Sequence, residues 1–474
     1  MEPLHLQRDG EKSLHYQIYT EIKNQILRGH ILPGTSLPSY RFMSRKYGVN
    51  ISTVEKAYDM LEVNRYIQKR HGSGCYVLPL DSLEFYSDTV MLDSFEHGQS
   101  LSEGWIDFAS STPVVGIEES RSFAGLIQKL AQDKPEELLR RPPTRGIPAL
   151  RDVICENFAQ RGETVCPEHL HIINGCQQGI NLICQSIISK NSVVLVDDPG
   201  YSVATNSFQR AGAQIETVSM EEDGPDLAAL EGILSRIPVD YYYTMANFQC
   251  PTNVTFSPEK RAAILTLAEQ HGFVIIEDDC LGELYFEGGQ KSTLWNTKAH
   301  DQVIYLTSFS KCLAPGLRLG YMVVPERFER RITAAKFNAD VATPAIMQEA
   351  LALYIKQGLY ERHIQTLRQD YARKRTLMRQ MIEASRFLSL PYHNESGGAF
   401  FWVQLPENVE SVELWSLLQR QNIKVIPSIA CSQQAMKRHF IRLSYAGCDE
   451  EMIRTGMLQI QRETERLYLV PPRV

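Results

Sequence analysis

The sequence predicts two folded parts, a small helical N-terminal domain and a larger α/β domain built on a mostly parallel sheet. A chain of 474 residues is too long for one compact core, because cores stop growing near about 250–300 residues. Helical spacing of apolar residues dominates the N-terminal region, whereas short β-rich runs alternate with helical stretches from residue 106 onward. A hydrophobic fraction of 43% and a charged fraction of 22% exclude a disordered or fibrous chain.

The charge is distributed unevenly along the chain. The formal net charge is −7, which alone argues against a nucleic-acid partner. Residues 1–78, however, carry 11 Lys and Arg against 7 Asp and Glu, a net charge of +4, so the remainder carries −11 (−7 − 4). A basic end on an acidic chain indicates an electrostatic binding surface at that end.

Three helices are predicted within the basic N-terminal region. The first ends at Gly29 and the second begins after Ser39, a candidate N-cap. Gly48 lies where a helix C-terminus requires positive φ, and Asn50 can cap the third helix. The apolar stripes are Leu14, Ile18, Ile22 and Ile26 in the first helix, Met43 and Tyr47 in the second, and Val54, Ala57, Tyr58 and Leu61 in the third.

A helix, a short turn with glycine and a second helix form the motif whose second helix enters the DNA major groove. Its first turn exposes Ile51, Ser52, Thr53 and Lys56. Two short strands then flank a basic tip in the run 67–77, where glycines allow close approach to phosphates and Lys69 and Arg70 supply positive charge. The helices alone fit a protein-interaction module equally well, but the strands and the charge excess favour DNA.

The runs 14–18, 32–34, 37–41, 52–54, 57–58, 61–62 and 72–74 resemble the winged helix-turn-helix domain of GntR-family regulators. The resemblance covers nearly all of residues 12–78 and implies that Arg41, the start of the recognition helix and the wing glycine contact the operator. The predicted DNA-binding residues are Arg41, Ser52, Thr53, Lys56, Lys69, Arg70, Gly72 and Ser73. Ile51 stands where the family often has Arg, so base readout at this position is either weaker or made through an apolar contact, such as one with a thymine methyl.

Residues 79–105 are predicted to be an acidic linker between a DNA-binding domain (1–78) and a second domain (106–474). The segment has six acidic residues, no Lys or Arg and little periodicity, so it cannot bury enough apolar surface to fold alone. The alternative is a peripheral helix of the following domain.

The second domain is predicted from its apolar runs. The runs 193–197, 274–277, 303–307 and 321–324 are typical of buried parallel strands. Residues 358–385 form a long, charge-rich helical pattern whose basic residues are interpreted as a solvated face.

A lysine follows one of these strands. Lys311 lies in the run 308–320, after two serines and before a Gly/Pro turn, at the sheet edge where α/β proteins bind ligands. A lysine with a deprotonated amine forms Schiff bases with carbonyl cofactors, and Arg318 can pair with a phosphate. Taken alone, a loop lysine is more often a solvated surface residue.

Three further elements favour the cofactor interpretation. The run 273–279 is a buried strand that ends in three acids, of which Asp278 can hold a cofactor pyridine nitrogen protonated. The alternative is that a strand-end acid caps the next helix, which suits Asp279 better than all three. Gly175 and Cys176 precede an apolar helix, whose N-terminus can bind an anion. Tyr201 follows a turn and can stack on a flat ring, although ordinary packing is the commoner role of such a residue.

In this order and spacing the elements resemble pyridoxal-phosphate enzymes of aminotransferase fold type I, over roughly residues 106–470. The resemblance implies a central mostly parallel sheet with a smaller C-terminal α/β subdomain, and pyridoxal 5′-phosphate as cofactor. It also implies that Lys311 forms the Schiff base, Asp278 contacts the pyridine nitrogen and Tyr201 stacks on the ring. Gly175, Cys176, Ser308 and Arg318 would hold the phosphate, and Arg442 a substrate carboxylate. A GntR-type domain joined to such a body resembles the MocR-type regulators.

The departures from the family bear on function. Cys250 occupies the position at which the family has an Asn beside the ring hydroxyl, and it is also predicted to contact the cofactor. Cys280 and Leu281 occupy the positions at which the family has a Tyr. Arg141 stands where an aromatic phosphate contact is common. Because Cys is a weak donor, we expect a site that binds the cofactor and an amino compound without efficient turnover.

The sequence therefore predicts a dimeric transcription regulator that binds an operator and senses an amino acid or amino compound. The alternatives are a working aminotransferase with an appended DNA-binding domain, and a DNA-binding protein whose body is only a dimerisation scaffold. Ten cysteines without metal-ligand spacing, and the lack of any secretory or ~20-residue membrane segment, predict a cytoplasmic protein with no metal.

Overall fold

The computed structural model describes residues 4, 6, 13–27, 31, 35–63, 66–70, 74–77, 104–286, 291–296, 298–393, 396–432 and 439–469. The predicted linker, except for Gly104 and Trp105, lies outside these residues. None of the helices within these ranges is long and apolar enough to cross a membrane.

The N-terminal domain contains three helices and a two-stranded antiparallel sheet, as predicted. They are α1 (Leu14–Leu27), α2 (Tyr40–Tyr47), α3 (Ile51–Val63), β1 (Ile67–Arg70) and β2 (Gly74–Val77). The Ser39 hydroxyl caps α2 by accepting from the Phe42 amide, and Gly48 ends that helix at φ +63°. The core is formed by the predicted apolar stripes: Ile18, Ile22, Ile26, Met43, Val54, Ala57, Tyr58 and Leu61 are buried, whereas Tyr47 is partly exposed.

The larger domain is an α/β fold. Its helices are α4 (Ile117–Asp133), α5 (Pro135–Leu139), α6 (Pro148–Gln160), α7 (Cys176–Ser186), α8 (Ser202–Arg210), α9 (Leu227–Leu234), α10 (Pro258–His271), α11 (Glu326–Asp340), α12 (Ala345–Lys356), α13 (Leu359–Glu383), α14 (Ser411–Gln419) and α15 (Glu450–Leu469). Its strands are β3 (Ile106–Asp107), β4 (Leu170–Ile173), β5 (Val193–Asp198), β6 (Gln214–Glu221), β7 (Gly224–Pro225), β8 (Tyr241–Thr244), β9 (Val274–Asp278), β10 (Val303–Ser308), β11 (Gly320–Val323), β12 (Phe400–Gln404), β13 (Ile423–Lys424), β14 (Ile426–Pro427) and β15 (Phe440–Ser444).

Eight strands form the central sheet in the order β4-β11-β10-β9-β8-β5-β6-β7. Within the series β10-β9-β8-β5-β6, adjacent strands are parallel to one another, as the apolar runs predict. The run 321–324 was wrongly predicted to be a parallel strand, because β11 is antiparallel to both of its neighbours. Only residues 309–319 connect β10 to β11, fewer than the dozen or more residues that a parallel crossover requires.

A smaller subdomain contains the antiparallel sheet β12-β15-β14. The long helix predicted at 358–385 is α13, with Ile364, Leu367 and Tyr371 buried. Since β9 and β10 are adjacent and parallel, their carboxyl ends meet at one edge of the central sheet. This edge carries the predicted cofactor residues.

Candidate functional site

The predicted Schiff-base lysine lies three residues after β10. Burial is the largest influence on the Lys311 amine and lowers its pKa, and the positive charge of Arg442 acts in the same direction. A lowered pKa increases the fraction of neutral amine, which is the form that attacks a carbonyl carbon. The environment of Lys311 therefore suits the predicted Schiff-base chemistry.

Asp278 lies at the end of β9, paired in register with Leu306 of β10. Its carboxylate is 2% exposed and accepts from the Tyr243 hydroxyl at 3.1 Å and the Cys280 amide at 3.2 Å. The Cys176 and Cys280 thiols also lie near it and act to lower its pKa. These donors are all neutral, and burial raises the pKa of Asp278. A protonated pyridine nitrogen would supply the positive charge that this buried carboxylate lacks.

The three acids at the end of β9 have separate roles. Glu277 accepts from the backbone amides of Leu294 and Trp295, each at 2.8 Å. Asp279 does not cap a helix, the alternative considered from sequence. It accepts from Asn247 at 2.7 Å, and it also binds the Tyr305 hydroxyl at 2.6 Å and the Lys291 amine at 3.0 Å. Only the middle acid, Asp278, takes part in the candidate cofactor site.

A candidate anion site lies where α7 begins. Gly175 precedes α7 at φ +83°, and a Cβ atom added there would lie 3.0 Å from Arg318 Nη2 and 3.6 Å from Ser308 Oγ. Arg318 donates to the Asn174 carbonyl at 3.0 Å and to the Ser310 hydroxyl at 3.4 Å. A guanidinium, hydroxyls and free helix N–H groups thus surround a space that only glycine leaves open, and this donor set fits a phosphate.

Two residues in this region were not selected from the sequence. Ser310 is the hydroxyl that contacts Arg318, although Ser308 was the serine predicted to hold the phosphate. Tyr243, at the end of β8, orients Asp278. The signal for Tyr243 was an aromatic at the end of a buried strand, which sequence alone does not distinguish from core packing.

Tyr201 lies between the turn after β5 and the start of α8. Burial raises its pKa, and the negative charge of Asp278 and the thiol of Cys250 act in the same direction. This proximity places Tyr201 beside the candidate ring site, where stacking was predicted.

Arg442, on β15, is 4% exposed and has no carboxylate partner among the described residues. Its Nη1 donates to Cys250 Sγ at 3.2 Å, and its Nη2 donates to the Ala109 carbonyl. Its Nε is buried without a hydrogen-bond partner in the described part of the chain. A buried cation without a counter-ion is costly, so the site favours an added anion.

The predicted DNA-binding residues have unequal surroundings. Arg41, Ser52 and Lys56 are exposed, whereas Thr53 is partly buried. Lys69 forms ion pairs with Asp59 and Glu62, so its charge is engaged within the domain. Of the other wing residues, the Arg70 side chain, Gly72 and Ser73 lie outside the described part of the structure. No cluster of three metal-ligating side chains occurs in the described ranges.

The two parts of the molecule define a class of protein in which a DNA-binding domain is joined to a pyridoxal-phosphate-dependent fold. The chain belongs to the family Aminotransferase class I and II, which matches residues 103–460, and residues 14–77 match the gntR family of bacterial regulatory proteins. This combination is that of the MocR-type regulators.

Relatives of known sequence and structure support this assignment. The uncharacterized HTH-type transcriptional regulator YdcR of Escherichia coli is 29% identical, over 91% of this chain and 95% of its own. The probable rhizopine catabolism regulatory protein MocR of Rhizobium meliloti is 26% identical, over 95% and 94%. The crystal structure of LysN, an α-aminoadipate aminotransferase from Thermus thermophilus complexed with N-(5′-phosphopyridoxyl)-L-leucine, superposes with a TM-score of 0.72 at 28% identity, covering 81% of this chain and 97% of that one. These relatives and the donor set indicate pyridoxal phosphate as cofactor.

Proposed function

We propose that this protein is a transcription regulator whose aminotransferase-like domain binds pyridoxal phosphate and senses an amino acid. The observation that carries the proposal is Arg442, a buried guanidinium without a carboxylate partner among the described residues. It acts on the pKa of Lys311, so it lies close enough to influence the cofactor-binding amine. An amino acid supplies both groups that this arrangement fits, a carboxylate for Arg442 and an amine for the cofactor.

The site geometry supports the following roles in cofactor binding. Pyridoxal phosphate, when bound, supplies an aldehyde that accepts amines and a ring that withdraws electrons. Lys311 provides the amine at that aldehyde, and Asp278 holds a proton on the pyridine nitrogen. The backbone of Gly175 and Cys176, together with Ser308 and Arg318, binds the phosphate. Tyr201 would stack on the ring, and Cys250, whose thiol accepts from Arg442, would contact the cofactor at its ring hydroxyl.

The substitutions at the ring hydroxyl support sensing over turnover. Cys250 engages Arg442 through its thiol, and the Cys280 thiol and amide are both engaged with Asp278 or Cys176. Leu281 is 2% exposed and apolar. None of these three residues offers a strong hydrogen-bond donor to a phenolic oxygen, which is the group that tunes the electrophilicity of the cofactor.

A second candidate is transamination itself. A 2-aminoadipate transaminase of Thermus thermophilus is 30% identical over 77% of this chain, and the lysine, the aspartate and Arg442 are all in place. Multiple turnovers at ordinary enzyme rates, above about 1 s⁻¹, would favour this candidate over sensing.

The DNA-binding part of the proposal rests on residues 1–78, with residues 79–105 as a linker and residues 106–474 as the sensing and dimerising domain. Arg41, Ser52, Thr53 and Lys56 would contact an operator, together with the wing. A cytoplasmic homodimer presents two such domains, so the operator should contain two half-sites. Effector binding must favour one arrangement of the two domains, and a coupling of about 1–3 kcal/mol is sufficient for regulation.

The test combines absorbance with footprinting. Purified protein loaded with pyridoxal phosphate is screened with the common L-amino acids for a change in the visible band of the lysine-bound cofactor, while DNA upstream of its own gene is footprinted. We expect a protected region with two half-sites and at least one amino acid that alters both signals. The Lys311→Ala variant should lose the band, and Arg41→Ala should lose the footprint and keep the band.

Two results would overturn the proposal. A colourless wild-type protein after loading favours the scaffold alternative, since the cofactor is then not attached to Lys311. Equal affinity for upstream and random DNA at physiological salt would contradict sequence-specific binding to an operator.

A further inference from the structure

The solvent-exposed face of the recognition helix α3 carries apolar, polar, acidic and basic side chains. Its exposed side chains are Ile51, Ser52, Glu55, Lys56 and Asp59. Their spacing of one and three residues places them on one stripe of the helix, opposite the buried stripe of Val54, Ala57, Tyr58 and Leu61. In helix-turn-helix domains the N-terminal residues of the recognition helix contact base edges, so the exposed residues at the start of α3 are the ones that face the bases.

The acidic residues of this helix are not equivalent. Asp59 and Glu62 both pair with Lys69 of β1, and this pairing neutralises part of their charge. Glu55 makes no hydrogen bond or ion pair with the described residues and lies one turn closer to the start of the helix. A carboxylate in a DNA groove is repelled by phosphates, and a base amino group that donates to it offsets this repulsion.

The exposed isoleucine of this stripe also indicates a particular kind of base contact. Ile51 is the first residue of α3 and is 47% exposed, which makes it one of two large hydrophobic side chains above a third exposed in the described part of the N-terminal domain. An isoleucine forms no hydrogen bond to a base edge or a phosphate. The one apolar group that bases present in the major groove is the C5-methyl of thymine.

We propose that Ile51 and Glu55 determine the sequence preference of the operator, Ile51 by contact with a thymine methyl and Glu55 by accepting from the N4 amino group of a cytosine. This inference rests on the proposed DNA-binding function. The two side chains are four residues apart, or about 6 Å along the helix. Their target bases therefore lie within about two base-pair steps of each other in each half-site.

The experiment selects binding sites from a random duplex library with the full-length, cofactor-loaded protein. The wild-type motif should contain a thymine and, within about two steps, a cytosine. Ile51→Ala should lose the thymine preference, and Glu55→Ala should lose the cytosine preference. Each preference should amount to about 5- to 20-fold in affinity. Glu156→Ala, which removes an equally exposed acid from α6, is the control and should select the wild-type motif.

A chemical probe tests the methyl contact directly. Replacing the selected thymine with deoxyuridine removes only its methyl group and should weaken wild-type binding about fivefold, but should leave Ile51→Ala binding unchanged. An unchanged motif in both variants overturns the inference. So does uniformly tighter binding of Glu55→Ala to all duplexes, which would make Glu55 only a repulsive charge. A wild-type selection that enriches no motif refutes the DNA-binding function itself.

Discussion

Replacing Arg442 with methionine separates ligand binding from folding. In the amino-acid complex, the guanidinium should make two charge-assisted hydrogen bonds to the carboxylate, each worth about 1.5–3 kcal/mol. Losing both, about 3–6 kcal/mol at about 1.4 kcal/mol per tenfold, weakens binding by a factor on the order of 100 to 10,000. In the free protein the same change removes a buried cation without a carboxylate partner among the described residues, which offsets the lost bond to the Ala109 carbonyl. We therefore expect Tm to change by less than about 5 °C.

The assay titrates the visible band of the cofactor-loaded protein with the responding amino acid and with the corresponding amine, which lacks the carboxylate. Wild type should discriminate strongly between the two ligands, and Arg442→Met should bind both equally weakly. Arg454→Met, which removes an exposed arginine of α15, is the control and should behave as wild type. If Arg442→Met binds the amino acid as tightly as wild type, Arg442 does not hold the carboxylate.

Three further predictions follow from local geometry. Gly175→Ala should weaken pyridoxal phosphate binding at least tenfold in equilibrium dialysis. Gly162→Ala, which is also at positive φ (+79°) but has no atom within 4 Å of its added Cβ, should cost about 1 kcal/mol of stability and leave cofactor affinity intact. Burial lowers the pKa of His171 to about 3, so as pH falls the unfolded chain takes up the imidazole proton before the folded protein does, and stability should fall between pH 6.5 and 3. In urea unfolding at pH 4, His171→Phe should remove about 3 kcal/mol of that loss. A pH profile identical to that of wild type would contradict this. Lys56→Ala should reduce the salt dependence of DNA binding by about one unit of slope, and Lys69→Ala by clearly less, because Lys69 is already paired within the domain.

Much of the architecture was predictable because it depends on local periodicity. The three N-terminal helices follow from apolar spacing, and Lys311 and Asp278 lie at the same edge of the sheet because β9 and β10 are neighbouring parallel strands. The direction of β11 was not predictable from its apolar run, since a buried strand has the same composition in either direction. Its short connection to β10 was the available clue.

The contacts that could not be predicted from the sequence join residues far apart in the chain. The bond between Arg442 and Cys250 spans 192 residues, and Tyr243 reaches Asp278 across 35. The pairing of Lys69 with Asp59 depends on how the wing folds onto α3, which charge counting along the sequence does not reveal. Residue types thus indicated the chemistry of the site, whereas the partners of each side chain required the fold.

The most direct test of regulation is the affinity of the protein for its amino acid, measured with and without operator DNA. If the cofactor domain and the DNA-binding domain are coupled, operator DNA must change the amino-acid Kd by the same factor by which the amino acid changes the DNA Kd. We predict a ratio between about 5 and 150 for wild type. A ratio of one, with both ligands bound, would contradict the account.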